Sequence, residues 1–327
     1  MIRVVRHSPG QFTAMYPIVL VNLFLKFSHR CLRQPFPWVC GFRSTALLFI
    51  LSCVSCGFTF HDFFIIIAQY IICYCIFMIT AMESNTLRET VYAFNNSDIV
   101  ASYDADMDVW HPNRVKMASI VCEILPFDRT ENLHFLDLGA GTGSLSHKII
   151  ETFPNAKIDA VDAAALMIEK AKLRLNNHRG QVTFHISTFQ DLPKKMDTLS
   201  HIDAVVSSFA LHHLYREEKL TLLKYVQSIL KPYGWFVNCD VFKSADAVLE
   251  ARFRRLHYQG IQERTRKTRH EEKSLDQISS ELSDKEKKDG DNLLLLTDDL
   301  QIITEAGFRT AECFWKEYRE AVYGGIK

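Results

Sequence analysis

Three glycines spaced two apart, Gly139, Gly141 and Gly143, follow the short apolar run Leu136-Asp137-Leu138 and precede a helix-like stretch from Ser144 to Ile150. Glycine here lets the backbone turn sharply and lets a ligand lie against main-chain amides, because a Cβ would block the approach. The chemistry this suits is binding of a nucleotide-type cofactor at a strand-to-helix turn. A dinucleotide fingerprint requires G-x-G-x-x-G, and Ser144 stands where its third glycine belongs. What remains is G-x-G-x-G preceded by an acid, Asp137. About 20 residues further on, a second apolar run from Lys157 to Val161 ends on Asp162, where an acid can accept hydrogen bonds from ribose hydroxyls. A helix-capping role for Asp162 is compatible with that one. The adjacent His212 and His213, with Asp240, are the candidate proton acceptors.

Those residues need a frame, and the pattern around them supplies one. Gln181 to Ile186, His201 to Phe209 and Trp235 to Val241 read as further strands. Between them, Ala164, Met167, Ile168, Ala171 and Leu175, and then Leu222, Leu223, Val226, Ile229 and Leu230, fall at helical spacing. Lys231-Pro232-Tyr233-Gly234 is expected to stop the second helix and turn the chain into the last of these strands. Continuous apolar strands alternating with amphipathic helices predict a parallel sheet covered on both faces. Ligands of such sheets bind at the carboxyl ends of the strands, where Gly139, Asp162, His212 and Asp240 all fall.

The ordered set of Leu-Asp-Leu-Gly-Ala-Gly-Thr-Gly, Val161-Asp162, Asp191-Leu192-Pro193, Asp203-Ala204-Val205-Val206 with Leu211-His212-His213-Leu214, and Leu230-Lys231-Pro232-Tyr233-Gly234 resembles the class I S-adenosylmethionine-dependent methyltransferases of small molecules. Glu305-Ala306-Gly307-Phe308, Cys313 to Lys316 and Ala321 to Gly325 are similar to the last helix and reversed final hairpin of that fold. The resemblance covers residues 82–327. It implies a Rossmann-like, seven-stranded, mostly parallel α/β sheet with helices on both faces and a reversed C-terminal strand. It also implies S-adenosylmethionine as cofactor and a small-molecule methyl acceptor. By the resemblance, Gly139, Ala140, Gly141 and Gly143 face the methionine part, Asp137 holds its amino group, and Asp162 takes the ribose. Ser207 and Tyr103 complete the cofactor set, Tyr103 from a helix that closes over the site. Many relatives place an acid against the adenine amino group. The matching run here is Ser187-Thr188-Phe189, so Thr188 and Phe189 stand in for it.

Residues 244–291 lie where such folds insert helices that shape the acceptor pocket. The segment opens with a basic cluster from Arg252 to Arg269, a pattern that nucleic-acid binders also show. Acids from Glu250 to Asp276 interleave, and the whole chain balances 38 basic against 38 acidic residues, so a solvated helical lid is the expectation and nucleic acid is not an expected partner. A tRNA or protein methyltransferase, and an inactive cofactor-binding module, stay open as alternatives. The acceptor's identity and the oligomeric state are not legible.

Residues 1–81 form a hydrophobic extension of different composition, with six of the nine cysteines. Residues 63–82 are long and apolar enough to cross a bilayer, and 45–60 form a shorter apolar stretch. Two expectations follow: a membrane anchor through residues 45–82, or a true translation start at Met82. The catalytic part is expected in the cytoplasm, with Cys122, Cys239 and Cys313 as reduced core residues. No metal-ligand set is read: Cys53-x-x-Cys56 and Cys73-x-Cys75 lie within apolar runs without a second ligand pair.

Overall fold

The computed structural model describes residues 94–327. The apolar extension, both candidate membrane stretches and the start at Met82 therefore lie outside the described residues. Among the described residues no helix is long and apolar enough to cross a membrane.

The chain enters through α1 (Ser97–Trp110) and α2 (Arg114–Ile124). It then alternates β1 (His134–Leu138), α3 (Ser144–Thr152), β2 (Lys157–Asp162), α4 (Ala165–Arg174) and β3 (Val182–Ile186). After α5 (Leu192–Lys195) come β4 (Ile202–Ser208), α6 (Arg216–Ile229) and β5 (Leu230–Val241). Helices α7 (Ala247–Arg269), α8 (Leu275–Asp289) and α9 (Leu296–Glu305) precede the closing hairpin of β6 (Glu312–Glu317) and β7 (Glu320–Ile326). The seven strands lie in the order β3-β2-β1-β4-β5-β7-β6. The first five are parallel, and β7 enters antiparallel between β5 and β6. This is the seven-stranded, mostly parallel sheet with a reversed final strand that the sequence predicts.

Alternation along each strand feeds two cores. Phe135, Ala160, Val206 and Val237 pack on one face against Met117, Val121, Leu145 and Ile149 of α2 and α3. Leu136, Val205 and Phe236 pack on the other against Leu222, Val226 and Ile302 of α6 and α9. With both faces covered, the central strands carry apolar residues on both sides, interrupted by a few buried polar ones such as Asp137 and Asn238.

Two local expectations change. The expected turn at residues 231–234 lies inside β5, which begins at Leu230 immediately after α6. Ile202 pairs with Leu230 and Ala204 with Trp235, so the residues between them bulge out. The left-handed φ of 62° falls on Tyr233, while Gly234 is needed for close approach, since a Cβ there would lie 2.9 Å from the Lys231 carbonyl oxygen. Cys122 and Cys239 are buried, but Cys313 is exposed. It lies on β6, the outermost strand, which no further strand covers.

The edge formed by β1, β2 and β3 carries a polar triad that alternation does not announce. Asp159 accepts from His134 Nε2 at 2.6 Å and from His185 Nε2 at 2.7 Å. Burial pushes the Asp159 carboxyl up, but the two imidazoles outweigh it and hold it at about 2 rather than 3.8. A carboxyl lowered on folding stabilises above its unfolded pKa, and this contribution disappears as pH falls from about 4 to about 2. Urea unfolding across that window is expected to cost the wild type about 2 kcal/mol more than Asp159→Asn, which has no such carboxyl to protonate; equal losses would remove the triad from the account of acid stability.

Candidate functional site

Strand order reverses at β1, with β2 on one side and β4 on the other, so their carboxyl ends open a crevice. The glycine turn lies at its floor. Gly139, Gly141 and Gly143 have φ of 70°, 53° and 77°, a region that L side chains rarely adopt. Gly139 and Ala140 N–H both donate to the Val161 carbonyl at 2.9 Å, which fastens the turn to β2. A Cβ on Gly139 would lie 2.2 Å from Ala210 Cβ in the loop after β4, so this glycine is demanded by contact as well as by φ. Around Gly141 the space is open, with no atom nearer than 4.0 Å to an added Cβ.

Asp162 closes the turn from β2. Its Oδ2 accepts from Gly141 N–H and its Oδ1 from Ala164 N–H, both at 2.8 Å, while burial raises its pKa. Gly139, Gly141, Asp162, Thr188, Phe189 and Tyr103 line one pocket. The Thr188 hydroxyl also accepts from Asp191 N–H at 3.2 Å. Asp137 lies fully buried among the strands: Ser146 Oγ donates to Oδ2 at 2.5 Å, and Oδ1 has no hydrogen-bond partner. Burial pushes this carboxyl up to about 7 despite Ser146. Ala140 and Gly143 shape the turn without lining the pocket. Ser207 is a correction: it is buried in β4, donates to the Leu138 carbonyl at 2.7 Å and lines neither pocket, so it ties β4 to β1.

A second pocket adjoins the first, and Phe94, Tyr103, Phe209 and His213 line both. Tyr103 therefore stands between the pockets, where burial raises its hydroxyl well above the ordinary range. Phe94 meets its ring edge-on at 6.2 Å and the His213 ring at 5.8 Å. Helices α7 and α8 contribute Phe253, His257, Leu282 and Lys285 to the second pocket.

His212 and His213 occupy a short 3-10 turn after β4 and meet Asp291, which follows α8. His212 Nδ1 lies 2.6 Å from Asp240 Oδ1, and Asp240 Oδ2 accepts the His212 backbone N–H at 3.1 Å. Burial lowers the His212 pKa, but Asp240 and Asp291 outweigh it and bring it to about 10. His213 is held below its usual value by burial and by the neighbouring His212, and its Nδ1 has no hydrogen-bond partner. Asp240 is 1% exposed and lines neither pocket. It is thereby moved from candidate base to the group that orients His212. Behind it runs a buried chain: Asn238 Nδ2 donates to Asp240 and to Tyr323 Oη, Tyr323 donates to Asp299, and Lys219 donates to the other Asp299 oxygen at 2.7 Å.

Besides Asp291, Asp104 matters without having been singled out by type or spacing. Asp104 of α1 accepts from Thr142 Oγ1 at 2.9 Å, Arg174 Nη2 at 2.8 Å and Arg114 Nη1 at 3.3 Å, clamping α1 onto the glycine turn. Neighbouring Tyr103 is fixed over the pockets by this clamp. Three of the seven basic residues of the α7 cluster turn inward: Arg254 pairs with Glu250 and Glu286, Arg264 donates to the Val109 carbonyl, and Arg269 pairs with Asp106, while Arg252, Arg255 and Arg266 are exposed.

Residues 136–236 match a family model described as a methyltransferase domain. The malonyl-[acyl-carrier protein] O-methyltransferase of Acetivibrio thermocellus is 39% identical over 75 residues, 23% of this chain and 25% of that protein. The uncharacterized methyltransferase YrrT of Bacillus subtilis is 30% identical over 124 residues, 38% of this chain and 54% of that one. The chain thus spans about half or less of these relatives' lengths. An O-methyltransferase family protein from Burkholderia thailandensis has the same fold, with a TM-score of 0.52 at 15% identity over 72% of this chain and 61% of its own.

Gly139→Ala is expected to lower stability by about 1–3 kcal/mol, since neither the φ nor the Ala210 contact can yield cheaply. Thermal unfolding tests this, and an unchanged Tm would show that the turn and the β4 loop are free to separate.

Proposed function

We propose, from the premise that residues 136–236 form a methyltransferase domain of the class I type, that the protein transfers a methyl group from S-adenosylmethionine to a small molecule. The observation that carries the proposal is the pair of pockets with one shared wall. One pocket holds the glycine turn and Asp162, the other lies beneath α7 and α8, and Phe94, Tyr103, Phe209 and His213 belong to both.

The residues of the first pocket suit the cofactor. The open main chain at Gly141 leaves room for a ligand against the turn. Asp162 retains lone pairs beside its two backbone contacts and can accept from ribose hydroxyls. Asp137 stands behind the turn and lines neither pocket, and its Oδ1 is a buried acceptor without a donor, which a water leading to an ammonium group satisfies. Thr188 and Phe189 supply the far end in place of an acid, and Tyr103 closes over the pocket. S-adenosylmethionine, when bound, supplies a methyl group on a sulfonium whose departure leaves a neutral thioether.

The protein's remaining tasks are to place the acceptor in line, exclude water and take charge of its proton. Aromatic rings from Phe94, Trp110, Phe209 and Phe253 give the second pocket apolar walls that shed water. His212, His213 and Asp291 form the polar cluster where the pockets meet, and Asp240 keeps His212 in place. The inward pairing of Arg254, Arg264 and Arg269, with Glu263 paired to Lys267 on the exposed face, leaves a mixed-charge surface that favours a small acceptor over a nucleic acid.

Calorimetric titration of S-adenosylmethionine is expected to give micromolar binding, about −8 kcal/mol, that weakens in Asp162→Ala. An absence of heat from folded protein would reduce the reading to fold alone. Once an acceptor is identified, His213→Ala is expected to lower turnover by about a hundredfold with cofactor affinity unchanged. Full turnover in that variant would take the cluster out of the chemistry.

A further inference from the structure

Three ligand atoms converge at the junction of the two pockets. His213 Nδ1 lies 3.3 Å from Asp291 Oδ1, and His212 Nε2 lies 3.5 Å from the same oxygen. All three fall within 4.8 Å of one another. A tetrahedral ion with bonds of about 2.0–2.1 Å to nitrogen and oxygen sets its ligands about 3.3–3.4 Å apart, so both measured separations match edges of such a site.

Independent features point the same way. His213 Nδ1 is buried and makes no well-aligned hydrogen bond, and the Asp291 carboxylate oxygen lies 3.3 Å from it. His212 directs Nδ1 at Asp240, which leaves Nε2 facing Asp291. A carboxylate behind an imidazole, fixing its tautomer and ring orientation, is the arrangement that supports a metal-ligating histidine. The third ligand is brought in by backbone ties and not by chance approach of a side chain. Asn292 N–H donates to the His212 carbonyl at 2.8 Å, and Asn292 Nδ2 donates to the His213 carbonyl at 3.0 Å. Both hold Asp291 against the histidine turn.

We propose that His212, His213 and Asp291 bind a divalent first-row transition ion of the Zn²⁺ or Fe²⁺ type. Two imidazoles with one carboxylate favour such an ion over Mg²⁺ or Ca²⁺, which take oxygen ligands. All three ligands line the second pocket, so the remaining coordination position faces the space assigned to the acceptor. There the ion acts as a Lewis acid on an acceptor oxygen or nitrogen, a role that rests on the methyl-transfer reading, whereas binding of the ion does not.

The test uses the full-length chain, stripped with chelator and titrated with Co²⁺ while its visible d–d bands are recorded, with Zn²⁺ added as competitor. His213→Ala, Asp291→Asn and Asp240→Asn are titrated alongside, circular dichroism reports folding, and S-adenosylmethionine affinity is measured on the same samples. One equivalent of Co²⁺ is expected to develop a spectrum that Zn²⁺ abolishes. Affinity is expected to fall more than about tenfold in His213→Ala and Asp291→Asn, and about 10–100-fold in Asp240→Asn, which touches no ion. A folded wild type without a stoichiometric Co²⁺ spectrum overturns the proposal and leaves the cluster held by protons alone. So does undiminished Co²⁺ affinity in both ligand variants. Failure of the methyl-transfer reading registers separately, as lost S-adenosylmethionine binding with the Co²⁺ response intact.

Discussion

The site depends on one buried carboxylate. Asp240 ends β5 at 1% exposure, and a charge so placed is costly unless every lone pair finds a partner. Its partners are the His212 ring, the backbone N–H groups of His212 and Val241, and the Asn238 amide. Through Asn238 the demand passes to Tyr323 on the reversed β7, then to Asp299 of α9 and Lys219 of α6. This buried line joins two strands and two helices, so His212 is oriented by the packing of the whole C-terminal half. Removing one member of such a line leaves another buried polar group unpaired, which is why its residues act as a unit.

The other half of the crevice is organised by the glycine turn. Asp162 holds it from β2 through the Gly141 amide, and Asp104 holds it from α1 through Thr142 and Arg174. Both carboxylates act on backbone or on side chains immediately beside the glycines, so the turn is fixed from below and from above. The same clamp holds the neighbouring Tyr103, which meets Phe94 edge-on, and both rings line the two pockets. The two pockets therefore share a wall that α1 holds in place.

The helical segment after β5 serves the pocket in a way that charge alone conceals. Its arginines reach back to α1 and across to α8, with Arg264 on the Val109 carbonyl and Arg269 on Asp106. Long guanidinium side chains can bridge helices that share little apolar surface, since the stem packs while the head bonds. The α8 end then delivers Asp291 to the histidine turn.

The sequence by itself determined the sheet, its covering helices and the glycine turn with Asp162 beside it. The apolar strand runs and the G-x-G-x-G turn are local signals whose periods and backbone demands can be read from a few residues, and Asp162 follows at a fixed distance along the same βαβ unit. What the tertiary structure alone decided is how residues far apart in the chain share space. Ser207 shows the difference: it sits at the carboxyl end of β4 as expected, but its face of the strand points it at the Leu138 carbonyl and away from either pocket. Local spacing could not separate His212 from His213 either. Only packing gives one ring a carboxylate on each side and leaves the other with an unpaired nitrogen. Asp104 and Asp291 carried no motif at all, because their partners lie tens of residues away and the contacts exist only once α1 and the loop after α8 close over the strand ends. Hydrogen bonds and charges act over a few ångströms in space whatever the separation in sequence, so their outcome is written in the fold and not in the local pattern.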